Sequence, residues 1–584
     1  MSLWRRATAA SDIGVAVPAD AVGIAAGTVR GSGASRAPLV LAAIVACYAL
    51  FGLVILSPEA VYSGDIGVKY VQARALAAQR FASLELPYPG DFLDPRRQFF
   101  PLRPPFVMTA AGKTQAIYSP SAAIVQAAAA RVAGIRGFIM VSILSGALIL
   151  YCAGKIAPPR QAIPVMVMLG IGGPLWFYAV SGWEHAPGVA LSTAAFACAV
   201  RLRGSGAAFA AGALLGGGAA LRDEAVLLAP GLLVCLWMAR RDLRPLAAAV
   251  AGLVMVLASA AAVEVFWFSR PAAAHLRHAV HFLQSALHLT GEPNLEVPVL
   301  RQFTLKNKYE AVVNYWLFGT SRNDIIALFA IGYVAAIAVR AKWRSSAGIL
   351  LWLCGLSLVA MADLWEVLRA PKWLAGLVHV APWAAFAILP PAAAGSRQPL
   401  VRMIAVTAAV YLASAFLGAD TDGGKSLGPR LLLPLVPLLA VAAAIRIDEY
   451  RDAPGRLNRA IAAVGIFLVA AGVAFHLGGT VRAYHYRNQD DASAVLAIAA
   501  LPDRIVVADD AATAQLLMPL YFRRIILLAD TDALGRQLGQ LLTDQRVPGV
   551  VVVSRRPAPL VDLAPLRLES TEQKGRMRVQ RWRR

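Results

Sequence analysis

The chain has 584 residues, of which 58% are apolar and 15% charged, with a mean hydropathy of +0.60. A soluble chain would sit near roughly 45–50% apolar, so a disordered, collagen-like or disulfide-scaffold protein and an ordinary soluble enzyme are excluded. The apolar residues fall in blocks of roughly 17–25, each able to cross about 30 Å of hydrocarbon, and define a polytopic α-helical membrane protein. Net charge is +22, from 56 Lys+Arg against 34 Asp+Glu. The basic residues cluster in short loops between apolar blocks, as the positive-inside rule requires, so no nucleic-acid partner is expected. Cys47, Cys152, Cys198, Cys235 and Cys354 lie inside apolar blocks without a CxxC, which points to neither a disulfide framework nor a zinc site.

In chain order, residues 1–37 are Ala/Gly/Ser-rich and read as a disordered cytoplasmic tail. Residues 38–57 form the first span and are too long for a cleaved signal peptide. Further spans are predicted at 137–154, 162–180, 186–202, 206–221, 224–239, 245–268, 324–339, 347–362, 373–392, 403–418, 431–446 and 460–479, thirteen in all. The membrane domain thus covers 38–480, with outer loops at 58–136 and 269–323. Loops placed inside by this count carry Lys155 and Arg160; Arg201 and Arg203; Arg240, Arg241 and Arg244; Arg340, Lys342 and Arg344. The N-terminus is therefore expected in the cytoplasm and the C-terminus outside. Counting 120–134 as a span would invert every later loop, so it is read as an interfacial or re-entrant helix.

Residues 481–584 are predicted to form a small extracytoplasmic α/β domain. Strands are expected at Arg504–Ala508, Arg524–Ala529 and Gly549–Val553, with helices at Ala511–Tyr521 and Asp532–Gln545 between them. This alternation implies a partly parallel sheet. The domain has no GxGxxG and no P-loop.

Ionisable groups beside a membrane boundary are costly, and four clusters stand at the expected outer face. In the first, Asp65, Lys69 and Gln72 share one face of a helix starting near Asp65. Asp65 could act as a general base and Lys69 could hold a phosphate; equally, Asp65 or Ser63 could cap the helix, with Asp65 and Lys69 an i,i+4 pair. In the second, Trp176-Phe177-Tyr178 and Trp183-Glu184-His185 end one span and open the next. The aromatics fit an interfacial belt, whereas Glu184 and His185 could bind a sugar hydroxyl, bind a metal or orient a base; catalytic zinc is rejected without an HExxH. The third is Arg222-Asp223-Glu224 at a Gly-rich junction, where Arg222 either grips phosphate or pairs with the neighbouring carboxylates. The fourth is Asp420-Thr421-Asp422-Gly423-Gly424-Lys425-Ser426-Leu427-Gly428-Pro429-Arg430, which can present backbone N–H groups, Lys425 and Arg430 to an anion. Tyr118-Ser119-Pro120 opens the interfacial helix. His275, His278, His281 and His288 in the second outer loop are read as solvated.

Together these motifs resemble the GT-C superfamily of integral-membrane glycosyltransferases, and most of all its family 39-like enzymes, the class of protein O-mannosyltransferases and lipid A aminoarabinose transferases. The resemblance covers most of 38–480. It rests on Asp65 in the first outer loop, the Tyr118-Ser119-Pro120 start, the Trp183-Glu184-His185 span start, Arg222 with Glu224, and the Gly-Gly loop ending at Arg430. It implies a GT-C-like membrane domain in a bacterial inner membrane. It also implies inverting transfer from a polyprenyl-phosphate sugar to an envelope lipid, glycan or protein hydroxyl. Asp65 would be the base. Lys69, Arg222, Lys425 and Arg430 would bind the donor phosphate. Gln72, Tyr118, Glu184, His185 and Glu224 would bind substrate. The family often has two acids close together in this loop, whereas Asp65 is followed by Ile66, with Asp91 and Asp94 further on; neither a metal nor another cofactor is expected. The high Ala/Arg/Gly content fits a GC-rich bacterium and an undecaprenyl- or decaprenyl-type carrier.

The competing reading is a transporter or lipid flippase of envelope precursors, since intramembrane charges also mark transport paths. Against it, no two-half repeat is evident and the charges gather at one face. A third reading, a scaffold without catalysis, predicts that Asp65 is dispensable.

Overall fold

The computed structural model describes residues 36–270, 312–317, 346–369, 376–392, 398–418, 427–556 and 561–584. The expected span at 324–339, Lys425 and the four histidines at 275–288 lie outside them. Helix α1 (Ala37–Ala49) starts on Pro38 and continues through π-type turns to Ile55. Leu39 and Val54 are 71% exposed on it, a surface suited to lipid rather than water. Six helices among the described residues are long and apolar enough to cross a membrane: Ala37–Ile55, Ile135–Ile156, Leu243–Trp267, Gly348–Arg369, Pro399–Gly418 and Arg456–Ala500.

Other predicted spans take shapes that hydropathy does not encode. The block 162–180 breaks into Ala162–Gly170 and Leu175–Val180. Gly172-Gly173-Pro174 stands between them, and the freed Gly172 carbonyl accepts Trp383 Nε1 at 2.6 Å. The block 224–239 opens as a 3-10 turn, Asp223–Leu228, before helix Ala229–Arg240. In the block 373–392, expected as a span, the described residues 376–392 hold a short helix, Leu377–Val380, and a 3-10 segment, Pro382–Ile388. Helices His185–Arg201 and Ser205–Leu221 have 17 residues each. The latter lies close to Leu243–Ala262 because both contribute glycine: a Cβ on Gly212 would fall 1.8 Å from Ala249 O.

One helix carries the first candidate cluster, and a second follows directly on Tyr118-Ser119. Helix α2 (Gly64–Ala78) is capped by Ser63, whose Oγ accepts from Ile66 N at 3.4 Å, with Asp65 in its first turn. Helix α3 (Pro120–Ala133) is capped by Ser119, has Pro120 at its start and stops at Gly134. Its 14 residues reach about 21 Å, too short to cross the bilayer, in keeping with its reading as a non-spanning helix. A short antiparallel hairpin, β1 (Val107–Ala110) with β2 (Lys113–Ala116), precedes it.

The last membrane helix, Arg456–Phe475, has no break near 480. It runs through π-type turns at His476–Thr480 into helix Val481–Ala500, a rod of 45 residues that carries the C-terminal domain. That domain is a five-stranded sheet of β3 (Ile505–Ala508), β4 (Ile525–Leu528), β5 (Gly549–Ser554), β6 (Arg567–Lys574) and β7 (Met577–Arg583), in the order β4-β3-β5-β7-β6. Strands β4, β3 and β5 are parallel and fully buried, whereas β7 and β6 add on antiparallel. The sheet is thus partly parallel, as expected, with a C-terminal hairpin that the apolar pattern did not announce.

The domain docks on segment 58–136. Leu528 N donates to Phe99 O at 2.9 Å and Tyr521 Oη to Pro87 O at 2.6 Å, while Arg103 pairs with Asp530 at 3.2 Å. Gly67 of α2 lies so near the domain that a Cβ would fall 2.3 Å from Gln515 O. Gly67→Val is therefore expected to overpack this contact by about 1–3 kcal/mol and lower the thermal midpoint of the purified protein. Gly206→Ala, where a Cβ meets open space, should not lower it.

Candidate functional site

Side chains from sequence-distant clusters meet beside the start of α2. Asp65 accepts a hydrogen bond from Tyr118 Oη at 3.0 Å and lies 3.7 Å from Arg430 Nη1. One turn on, Lys69 Nζ donates to Glu184 Oε1 at 2.6 Å and sits 4.1 Å from the centre of the Tyr118 ring. Arg222 Nη1 binds the same Glu184 oxygen at 3.0 Å, and its Nε binds Glu224 Oε1 at 2.6 Å. His185 Nε2 is 3.9 Å from Glu224 Oε1. The structure thus joins Asp65, Lys69, Tyr118, Glu184, His185, Arg222, Glu224 and Arg430. Gln72 is on α2, 1% exposed, with no hydrogen-bond partner for its Nε2 among the described residues.

Local sequence explains the convergence. The C-terminal end of helix Ser205–Leu221 leaves Arg222 in extended conformation, and Gly188 makes room for it: a Cβ there would fall 2.9 Å from Arg222 Cβ. Ser119 Oγ donates to Ala220 O, tying the start of α3 to the same helix end. Tyr178 Oη donates to Leu427 O at 2.9 Å, which anchors the turn leading to Arg430.

The side chains divide by exposure. Lys69, Glu184, His185 and Glu224 are 2–5% exposed, whereas Asp65, Arg222 and Arg430 keep 27%, 23% and 17%. Burial alone would push the Glu184 carboxyl up, but Lys69 and Arg222 outweigh it and hold Glu184 below its ordinary range. A partly exposed acid beside the partly exposed Arg430 guanidinium, with Arg222 in the neighbouring ion-pair cluster, can accept a proton beside a bound anion.

Two sequence readings change. Trp176, Phe177, Tyr178 and Trp183 are no interfacial belt; all are buried, and the Trp183 ring centre lies 5.9 Å from Lys69 Nζ and 5.4 Å from Arg430 Cζ. Lys69 forms its direct ion pair with Glu184 rather than with Asp65. Asp91 and Asp94 serve their own loop: Asp91 pairs with Arg97 at 3.3 Å, and Asp94 accepts from Tyr88 Oη and the Gln98 and Phe99 amides. Among the described residues no group of three His, Cys, Asp or Glu is arranged to hold a metal. The sequence reading missed Arg487, which lies 4.6 Å from the Tyr62 ring beside the site. It also missed Arg270, which grips the Tyr118 backbone. Neither belongs to a motif; Arg270 was visible only as a cation at the end of an apolar block.

These features define the class: a polytopic α-helical membrane protein with a small C-terminal α/β domain and an ion-pair cluster at one end of its helices. The chain is similar to solved structures of ArnT from Cupriavidus metallidurans. With undecaprenyl phosphate bound, the likeness has 14% identity, covers 92% of this chain and 97% of that one, and has a TM-score of 0.46. In the apo state the values are 13%, 94%, 98% and 0.47. The oligosaccharyltransferase of Archaeoglobus fulgidus is also similar, at 10% identity over 88% of this chain and 69% of that one, with a TM-score of 0.42. At these identities and scores the likeness carries no assignment of activity. No family model and no curated protein sequence matches the chain.

Proposed function

We propose that the protein is a membrane glycosyltransferase that moves a sugar from a polyprenyl-phosphate donor to a hydroxyl of a cell-envelope acceptor, with inversion, at the outer face of a bacterial cytoplasmic membrane. The observation that carries this reading is the meeting of Asp65 with Tyr118 and Arg430 near the ion pairs that Glu184 makes with Lys69 and Arg222. Asp65 takes the acceptor proton as the acceptor oxygen bonds to the anomeric carbon. The bond from that carbon to the phosphate oxygen breaks, and polyprenyl phosphate leaves with the electron pair. Arg222 and Arg430, with Lys425 five residues before Arg430 in the sequence, stabilise the charge growing on the leaving phosphate. Lys69 acts from below, through its field and its hold on Glu184. Tyr118 orients Asp65, while Gln72, Glu184, His185 and Glu224 are assigned to the substrate side of the site; neither ring nitrogen of His185 has a hydrogen-bond partner among the described residues.

The test is transfer by the purified protein in lipid, offered a panel of polyprenyl-phosphate sugars and envelope extract, with products read by mass spectrometry and anomeric configuration by NMR. Inverted product supports the reading and names the donor. Retained configuration overturns the single-displacement mechanism. Donor crossing of sealed vesicles without transfer points instead to a flippase.

A further inference from the structure

Arg270, at the end of the segment that follows helix Leu243–Ala262, is 2% exposed. Its Nη1 donates to Tyr118 O at 3.0 Å, and its Nη2 to Ile117 O at 3.2 Å and to Met108 Sδ at 3.4 Å. Its own N–H donates to Glu264 O at 2.9 Å. Glu264, 1% exposed, supplies the charge that favours the guanidinium there, against a burial that pulls Arg270 below its ordinary value. Burying a cation against carbonyls is costly, and an apolar side chain of similar length would fill the space at lower cost. What a guanidinium adds is a fixed fork that holds two consecutive carbonyls at once.

Those carbonyls belong to Ile117 and Tyr118, and the Tyr118 hydroxyl donates to Asp65. On its other side the same stretch is tied through Ser119 Oγ to Ala220 O, two residues before Arg222. Between these anchors the phenol has little freedom to leave Asp65. We propose that Arg270 is a positioning residue: it fixes the Tyr118 backbone, and through the Tyr118 hydroxyl the direction in which Asp65 faces the acceptor. The inference rests on the glycosyl-transfer reading for its effect on turnover, but not for the clamp itself.

The experiment compares full-length wild type with Arg270→Met, Arg270→Lys, Tyr118→Phe and the Arg270→Met/Tyr118→Phe double variant, all purified in lipid. Amide hydrogen exchange over 106–119 reads the clamp without reference to activity. Exchange should rise about tenfold or more in Arg270→Met and less in Arg270→Lys, which keeps one donor. Unchanged exchange in Arg270→Met overturns the clamp. Turnover reads the consequence: kcat in Arg270→Met should fall about 10–100-fold, with donor KM nearly unchanged, because misplacement by about 1 Å is felt in the transition state. The double variant should lose less than the product of the two single losses, since both act on one contact. Multiplying losses, or a loss confined to KM, overturns the positioning role. A wild type that transfers no sugar removes the proposed function, and the exchange result alone then decides whether Arg270 holds Tyr118.

Discussion

Asp65→Asn should lower kcat for sugar transfer by about 10²–10⁴-fold, the range a positioned general base contributes, while donor KM stays within a few-fold. The substitution is close to isosteric. Its amide oxygen can still accept from Tyr118 Oη, now at 3.0 Å from Asp65, and the loss of a partly open pair with Arg430 at 3.7 Å costs little stability. The protein should therefore reach the membrane and keep its thermal midpoint. Undiminished turnover in Asp65→Asn would take the base away from this residue and leave it an acid in the first turn of α2. Steady-state kinetics with the donor identified by mass spectrometry checks this.

The chemistry-bearing residues were legible because a charge beside an apolar block stands out. Each of Asp65, Glu184, Arg222 and Arg430 interrupts such a block or borders one. Their pairing was not legible. Spacing offered Lys69 a partner four residues away, but the partner it takes is Glu184, 115 residues on. Only the packing of α2 against the Trp183-Glu184-His185 turn decides between them. Hydropathy also counts apolar side chains without seeing the backbone. Residues 373–392 are as apolar as a span, yet the described part, 376–392, folds as short helical turns, with Trp383 and Phe386 buried inside the protein rather than presented to lipid. In the C-terminal domain β3, β4 and β5 announced themselves as apolar runs because both faces of these parallel strands are covered. The exposed edge strand β6, Arg567–Lys574, is mostly polar and gave no such signal.

Lys69→Met should be the most destabilising single change in the site. Lys69 and Glu184 have side chains 2% and 5% exposed, so removing the ammonium strips a buried carboxylate of one of its two cations. Breaking such a pair from one side costs about 3–5 kcal/mol. The expected result is a lower thermal midpoint and reduced recovery of folded protein. Neutralising both partners removes the stranded charge, so Lys69→Met/Glu184→Gln should regain much of the lost stability. Activity should not return with it: Arg222 then loses one of its two carboxylate partners, Glu184 at 3.0 Å, and keeps Glu224 at 2.6 Å. The guanidinium is freed on the side that faces Lys69 and is no longer held toward the leaving phosphate. A Lys69 that instead touched the phosphate directly would give the opposite pattern, a raised donor KM in Lys69→Met without loss of the folded state. Thermal unfolding and donor KM measured on the same two variants therefore separate a cation that builds the floor of the site from one that binds substrate.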